Sequence, residues 1–338
     1  MTQTTESSTQ GSTSPTIADR LRDGGWQRRL TFSLSGWVTL GLLVAVIALN
    51  AALQPTFFTE YSITSNFATF APLVLVAIGQ GIVVIGGGLD LSVGSNLALS
   101  SVVALKAMGG DDSRILVGLA AGILTGALCG LVNGFVIAVV RLQPLIATYA
   151  TGSVFAGAAL VVLPSPGGSV PGEMVSTYRD TIIGLPVAAL IVLAGMAAWF
   201  ALDRTRLMRH IRAVGGNEQA AYTSLVPVVK SRALTYTVAG AFVGAASLAI
   251  LANSGSGDPF IGEAFILDSI AAVVLGGIAL SGGRGTAIGA VAGAVILTII
   301  DNVLGPLGVP TFWRPLISGL VIIAAFALSV LTNRRESE

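Results

Sequence analysis

Ten apolar runs, each close to the length of a bilayer crossing, recur along this chain and leave little sequence for anything else. An α-helix rises about 1.5 Å per residue, so a hydrocarbon core of about 30 Å takes about 20 residues. The runs fall near residues 37–53, 65–85, 91–108, 115–140, 142–163, 182–202, 233–252, 265–280, 286–304 and 315–331. Only 10% of the 338 residues are charged and 53% are hydrophobic, whereas a soluble domain carries about 25% charge. A water-soluble core cannot absorb that much apolar helix. The 42 glycines suit helices that approach closely in lipid. The predicted fold is an all-α polytopic membrane protein of about ten transmembrane helices.

The basic residues orient these runs. With the N-terminus inside, the inner segments hold Arg20, Arg22, Arg28, Arg29, Arg141, Arg204, Arg206, Arg209, Arg212, Lys230, Arg232, Arg284, Arg334 and Arg335, which are 14 of the 18 Lys and Arg. Lys106, Arg114, Arg179 and Arg314 fall outside. Cytoplasmic loops carry such an excess of Lys and Arg, so both termini are predicted to be cytoplasmic. One membrane domain spans 37–331. Residues 1–16, rich in Ser, Thr and Gln, read as a disordered tail, 17–36 as a basic segment at the membrane surface, and 332–338 as a cytoplasmic tail. A secretory signal peptide is the rival reading of the N-terminus, but the apolar segment starts late and many more follow it.

Several functional classes fit poorly. A net charge of +1 offers no field for nucleic acid. A single cysteine, Cys129, and a single histidine, His210, leave no cysteine cage and no His-rich metal site. No metal site and no catalytic residue is therefore assigned, and the chain does not read as an enzyme.

Three stretches interrupt the apolar pattern. In the first, Gly86, Gly87 and Gly88 break a run just before Asp90 and Ser92. A charge at that place is costly unless wet or paired, and Ser92 is expected to cap the next helix by accepting from a backbone N–H. Structurally this is a tight inner-side turn. Functionally it is a broken helix bordering a pathway. In the second, residues 276–283 echo residues 87–94, both near the inner face, as a parallel internal repeat would. The third is the long inner loop 203–232. Gly215 and Gly216 end one helix there, Asn217 is placed to cap another that begins Glu218-Gln219-Ala220-Ala221, and Pro227 limits its length. The loop reads as an orientation signal or as a capped helix that fits a partner's cleft. Outer segments 164–181 and 253–263, rich in Pro and Gly, read as external turns.

At these residues the chain resembles the membrane permease subunits of ribose-type sugar ABC importers, in the branched-chain/ribose permease superfamily. The resemblance rests on Gly87–Gly94, Asn133-Gly134, Gln143–Thr148, Gly215–Ala221, Val274–Gly277 and Gly282–Gly285, which occur in the family's order over about residues 37–331. It implies a pore-forming subunit importing a monosaccharide or related polyol, paired with a second permease subunit as a homodimer or heterodimer. An external sugar-binding protein would deliver the substrate. Cytoplasmic ATP-binding subunits would hydrolyse ATP with Mg, and this chain would bind no cofactor. That fits the lack of a Gly-x-x-x-x-Gly-Lys-Ser/Thr phosphate loop in the sequence. Gly215, Gly216, Asn217, Glu218, Gln219, Ala220 and Ala221 then correspond to the coupling helix. One departure stands out: after Ser224 the family has a glycine-containing turn, and this chain has Leu225-Val226-Pro227.

A neutral polyol needs hydrogen-bonding groups rather than charges. Gln80, Asn96, Asn133, Gln143, Thr148, Tyr149 and Asn302 are the candidates along a translocation path, each with the alternative of bonding helix to helix. Gly87, Gly88, Asp90 and Ser92 form the structural break. An ion-coupled secondary transporter is the alternative function. It calls for ionisable groups in mid-membrane, whereas the charges here map mostly to span ends.

Overall fold

The structure is a computed structural model that describes residues 34–304 together with 310, 313, 316, 317, 319, 320 and 323. The expected tails and most of the surface segment 17–36 lie outside the described residues, and the run at 315–331 is described only at isolated positions. The helices are α1 (Leu34–Leu53), α2 (Glu60–Ile85), α3 (Val93–Met108), α4 (Ile115–Ala138), α5 (Pro144–Val162), α6 (Gly172–Tyr178), α7 (Val187–Asp203), α8 (Arg206–Gly216), α9 (Glu218–Thr223), α10 (Val228–Ser254), α11 (Glu263–Leu275) and α12 (Ala287–Leu304). The only sheet among these residues is the two-residue hairpin β1 (Thr181–Ile182) with β2 (Leu185–Pro186).

Four of the described helices are long and apolar enough to cross a membrane, and a fifth crossing is made if α7 and α8, bent by 78°, count as one. This is a multi-pass membrane protein. Apolar helices at Thr39–Leu53, Val93–Met108 and Ala287–Ile300 are shorter. Two expected spans are therefore partial helices. α3 has 16 residues and α11 has 13, about 24 and 20 Å of helix.

α2 is the centre of the bundle. From Phe70 to Ile85 every residue is buried, which requires the uniformly apolar sequence that a helix enclosed on all sides carries. α7, α10, α11 and α12 pack around it, with Trp199, Ile211 and Ile296 among the fully buried side chains.

α4 follows the opposite rule. Gly118, Gly122, Gly126, Gly130 and Gly134 recur every fourth residue and form its buried face, while Leu116, Leu124, Leu128, Leu131 and Phe135 are exposed. Four residues is close to one helical turn, so these glycines make a smooth stripe. From Gly122 onward the stripe lies on α10, in the most extensive helix pair among the described residues, while Gly118 packs on Met108 of α3. A Cβ placed on Gly126 would stand 2.3 Å from the Gly240 carbonyl oxygen, one on Gly130 2.1 Å from that of Tyr236, and one on Gly134 2.6 Å from that of Ala233. Backbone meets backbone along nearly the whole interface. Lipid tails are as apolar as leucine, so van der Waals contact of this kind, not hydrophobicity, holds such helices together.

At the end of the bundle opposite the basic loop, the two segments expected as separate turns are joined. Gly167 and Gly257 exchange N–H···O bonds of 2.9 and 3.0 Å. Residues 164–181 also contain α6, whose Tyr178 hydroxyl donates to the Ala68 carbonyl at 2.8 Å. The chain then runs inward: Gly262 touches the backbone of Gly94, so α11 starts inside the bundle, against the start of α3. The reading of 253–263 as a purely external turn is corrected by that contact.

Replacing Gly130 by Ala should lower the stability of the detergent-solubilised protein by about 1–3 kcal/mol, read as a fall in thermal midpoint. Gly157→Ala on α5 has open space around it and should leave the midpoint unchanged or raise it.

Candidate functional site

The glycine break ends α2 with a defined geometry. Ile85 is the last helical residue and Gly86 the cap. Gly87 takes φ +79°, its N–H donates to Val84 O at 2.9 Å, and the Gly88 N–H donates to Val83 O at 3.0 Å. This pair of bonds around a left-handed residue closes a helix C-terminus. α11 ends the same way, with Gly277 at φ +73°, Gly277 N–H on Val274 O at 2.9 Å and Ile278 N–H on Val273 O at 3.1 Å. The equivalent residues are thus Gly87 and Gly277, one position away from the expected pairing of Gly87 with Gly276. Beyond the caps the two copies part: α3 starts at Val93, whereas the Ala279 N–H donates to the Arg284 carbonyl across a turn.

Between Gly88 and α3 the chain carries a buried polar cluster. Asp90 is 2% exposed. Its Oδ1 accepts from the Ser92 backbone N–H at 2.8 Å and from the Ser92 hydroxyl at 2.6 Å, and both its oxygens lie 3.4–3.5 Å from Asn133 Nδ2. Asn133 Nδ2 also donates to Ser92 Oγ at 2.7 Å, and the Thr151 hydroxyl donates to Asn133 Oδ1. Ser92 and Asn133 present donors to its carboxyl oxygens. Ser92 does not cap α3 through its side chain. The expectation fails because Ser92 has helical rather than extended backbone angles and its Oγ already accepts from Asn133 Nδ2 while its hydroxyl donates to Asp90.

Thr148 completes this cluster, accepting from the Leu91 N–H at 3.0 Å. The break, α4 and α5 are thereby tied together by the two expected path residues Asn133 and Thr148 and by Thr151, which sequence reasoning passed over. Thr151 was findable, since it lies three residues from Thr148 on one face of α5. Ser92 lies beside Asn133, five residues from the end of α4, so the break enters about 8 Å into the bundle. The polar cluster is therefore enclosed within the bundle rather than at its surface.

The other path candidates are dispersed. Asn96 donates to the Gly126 carbonyl at 3.2 Å, a helix-to-helix bond. Gln80 is fully buried with neither amide atom bonded. Gln143 precedes α5 on an exposed turn, Tyr149 is exposed, and Asn302 lies at the opposite end of the molecule, bonded to Asn66 at 3.0 Å.

The basic loop folds into α8 and α9. α8 turns sharply away from α7, burying Met208, Ile211 and Val214 and exposing Arg206 and Arg209, the pattern of a helix lying along a surface. Asn217 caps α9 as expected, its Oδ1 accepting from the Ala220 N–H at 2.9 Å. Glu218 pairs with Arg232 on α10. Gln219 and Ala220 face outward, while Ala221 is buried. Leu225 sits at φ +60°, the left-handed conformation that glycine adopts without strain. It occupies the turn in which the resembling family carries glycine.

The elbow between α8 and α9 is wedged into both glycine breaks. Gly215 packs on Ile85, Gly86 and Gly87, Gly282 packs on Gly215, and Gly283 packs on Gly216. The Gly283 N–H donates to the Ile85 carbonyl at 2.8 Å. Arg212 bonds the Gly285 carbonyl at 3.1 Å and Asp203 at 2.7 Å. No group of three His, Cys, Asp or Glu residues placed to hold a metal occurs among the described residues.

Two substitutions test this geometry. Asn133→Leu removes the amide from the Asp90 cluster and should cost about 1.5–3 kcal/mol, with strong non-additivity against Asp90→Asn in a double-mutant cycle. Leu225→Gly should raise the thermal midpoint, because relieving a left-handed residue is worth about 1–2 kcal/mol.

Comparison with known proteins places this arrangement. The family described as "Branched-chain amino acid transport system / permease component" matches residues 62–326. The ribose import permease protein of Bacillus subtilis is 37% identical over 88% of this chain and 92% of its own length. The D-allose transport system permease protein of Escherichia coli K12 is 32% identical, again over 88% and 92%. The fructose import permease protein of Bifidobacterium longum is 30% identical over 85% and 88%. No solved structure matches the chain significantly. The chain belongs to this permease-component family, as a ribose-type sugar ABC permease.

Proposed function

We propose that this chain is the pore-forming permease subunit of an ATP-driven importer of a monosaccharide or related polyol in the bacterial inner membrane. The observation that carries the reading is the wedge at the basic end: an exposed capped helix, α9, whose base is locked by backbone contact into two helix breaks. On this reading α9 is the coupling helix and the basic end is cytoplasmic. The α8–α9 elbow has no side chains at Gly215 and Gly216 to cushion it, so a push on α9 moves the breaks as one rigid piece, the way packed elements transmit discrete shifts.

The finer architecture belongs to the same proposal. Ten spans with cytoplasmic termini agree with the split of basic residues, and the two matched helix caps support a parallel repeat. Cytoplasmic ATP-binding subunits dock on α9 and carry ATP and Mg. An external binding protein delivers the sugar to the opposite end. The exposed apolar faces of α4 and α5 meet lipid or a second permease subunit, identical or paralogous.

Glu218→Arg combined with Ala220→Trp removes the α9–α10 ion pair and places bulk on the outward face of α9. The pair at Glu218 is half-exposed and worth little to folding. The variant should insert normally, lose uptake of labelled sugar, and no longer retain a co-expressed ATP-binding subunit on purification. Uptake and retention at wild-type levels would refute the coupling assignment. Uptake that persists without ATP and collapses with the ion gradient would support the ion-coupled alternative.

A further inference from the structure

At the end of the bundle opposite the basic loop, α1, α2 and α12 open into a cleft of about 310 Å³, at the low end of the roughly 300–1,000 Å³ typical of small-molecule sites. Asn50 and Gln54 enter it from α1, Tyr61, Ser65 and Asn66 from α2, and Asn302 from α12. Among the described residues its lining carries hydroxyls, amides and aromatic rings and no charge. Counting back about 20 residues from Ile85, the depth of a hydrocarbon core, reaches Ser65. The cleft therefore lies about one hydrocarbon thickness from Ile85, on the side away from the basic loop.

Its amides are only partly used. Asn302 Nδ2 donates to Asn66 Oδ1 at 3.0 Å, Gln54 Nε2 donates to the Asn302 carbonyl at 3.2 Å, and Asn50 Nδ2 reaches the Ile299 carbonyl at 3.5 Å. Asn50 is 0% exposed, yet its Oδ1 has no partner. A buried acceptor left without a donor is destabilising. The Asn66–Asn302 bond fixes those two amide planes, while Asn50 Oδ1, unpartnered but enclosed, is reached only if the cleft widens toward it. Helix-to-helix adhesion alone needs neither the volume nor the unused acceptor.

We infer that this cleft binds a neutral polyhydroxy solute, such as a monosaccharide, at the outer mouth of the permease. Neutral donors and acceptors held in fixed planes, with the Tyr61 ring at the rim, match the hydroxyls and C–H faces of a sugar. They offer nothing to a charged solute, whose desolvation would go uncompensated. The inference rests on the importer reading and adds a station to it: the cleft receives solute released at the outer face before it passes inward. Its place, far from the Asp90 cluster, separates capture from the moving breaks.

The test uses the purified full-length chain in lipid nanodiscs, with D-ribose, D-allose and D-fructose as probes in saturation-transfer NMR. At least one sugar should bind saturably. Asn66→Ala with Asn302→Ala should weaken that binding about tenfold, the loss of two neutral hydrogen bonds. Ser65→Phe, at an exposed position that fills the cleft without touching the amide bonds, should do the same while leaving the thermal midpoint unchanged. Absence of binding by all three sugars, or binding unaltered by Ser65→Phe, would overturn the inference. Neither result would touch the importer reading, which is judged separately by retention of an ATP-binding subunit on the wild-type chain.

Discussion

Helices can come together to backbone contact only where side chains are absent, and this molecule depends on that fact at several contacts, two of them central. Along α4, Gly126, Gly130 and Gly134 let α10 close to distances at which a Cβ would collide with carbonyl oxygens. At the basic end Gly215, Gly216, Gly282 and Gly283 let three chain segments meet with no side chain between them. In lipid there is no hydrophobic drive between helices, so dispersion and close packing must supply the adhesion. The first contact makes a rigid wall. The second makes a rigid joint.

The joint gives the basic loop its meaning. A loop whose only task is to orient helices needs charge, but it needs neither a capped helix nor a buried base. Here α8 lies on the surface with its apolar side down, Arg212 reaches across to the Gly285 carbonyl, and the α9 cap presents Gln219 and Ala220 to whatever docks. One step away, the buried carboxylate of Asp90 links the broken end of α2 to α4 and α5 through Ser92 and Asn133. A displacement at α9 thus has a continuous physical route into the bundle.

Much of this was legible in the sequence, for physical reasons. Hydropathy marks a crossing because lipid demands it, so α2, α4, α5 and α10 fall where the apolar runs predict. Asn217 announced its cap because few side chains suit that position. What escaped reading depends on partners distant in the chain. The 86–92 break announces itself by its glycines but not its depth in the bundle, and the Gly- and Pro-containing segment 253–263 reads as an external turn because its partner, Gly94, is distant in the chain. The Ser92 hydroxyl was assigned to a cap because a buried acceptor two residues away changes its choice only once Asn133 and Thr151 close around it. The outer cleft unites Asn50, Asn66 and Asn302, from three helices, and the sequence alone marked Asn302 without its neighbours. The glycine stripe was readable as a four-residue period, but only the fold shows which helix it meets.

The account turns on the α8–α9 segment facing the cytoplasm, away from the β1–β2 hairpin. The single native cysteine, Cys129, is buried, so one introduced thiol reports cleanly. Gln219→Cys and Ile183→Cys, each made separately at an exposed position, can be treated with a membrane-impermeant maleimide in intact cells and in inside-out vesicles. The account predicts labelling of Ile183→Cys from outside only and of Gln219→Cys from inside only. Labelling of Gln219→Cys in intact cells would contradict it.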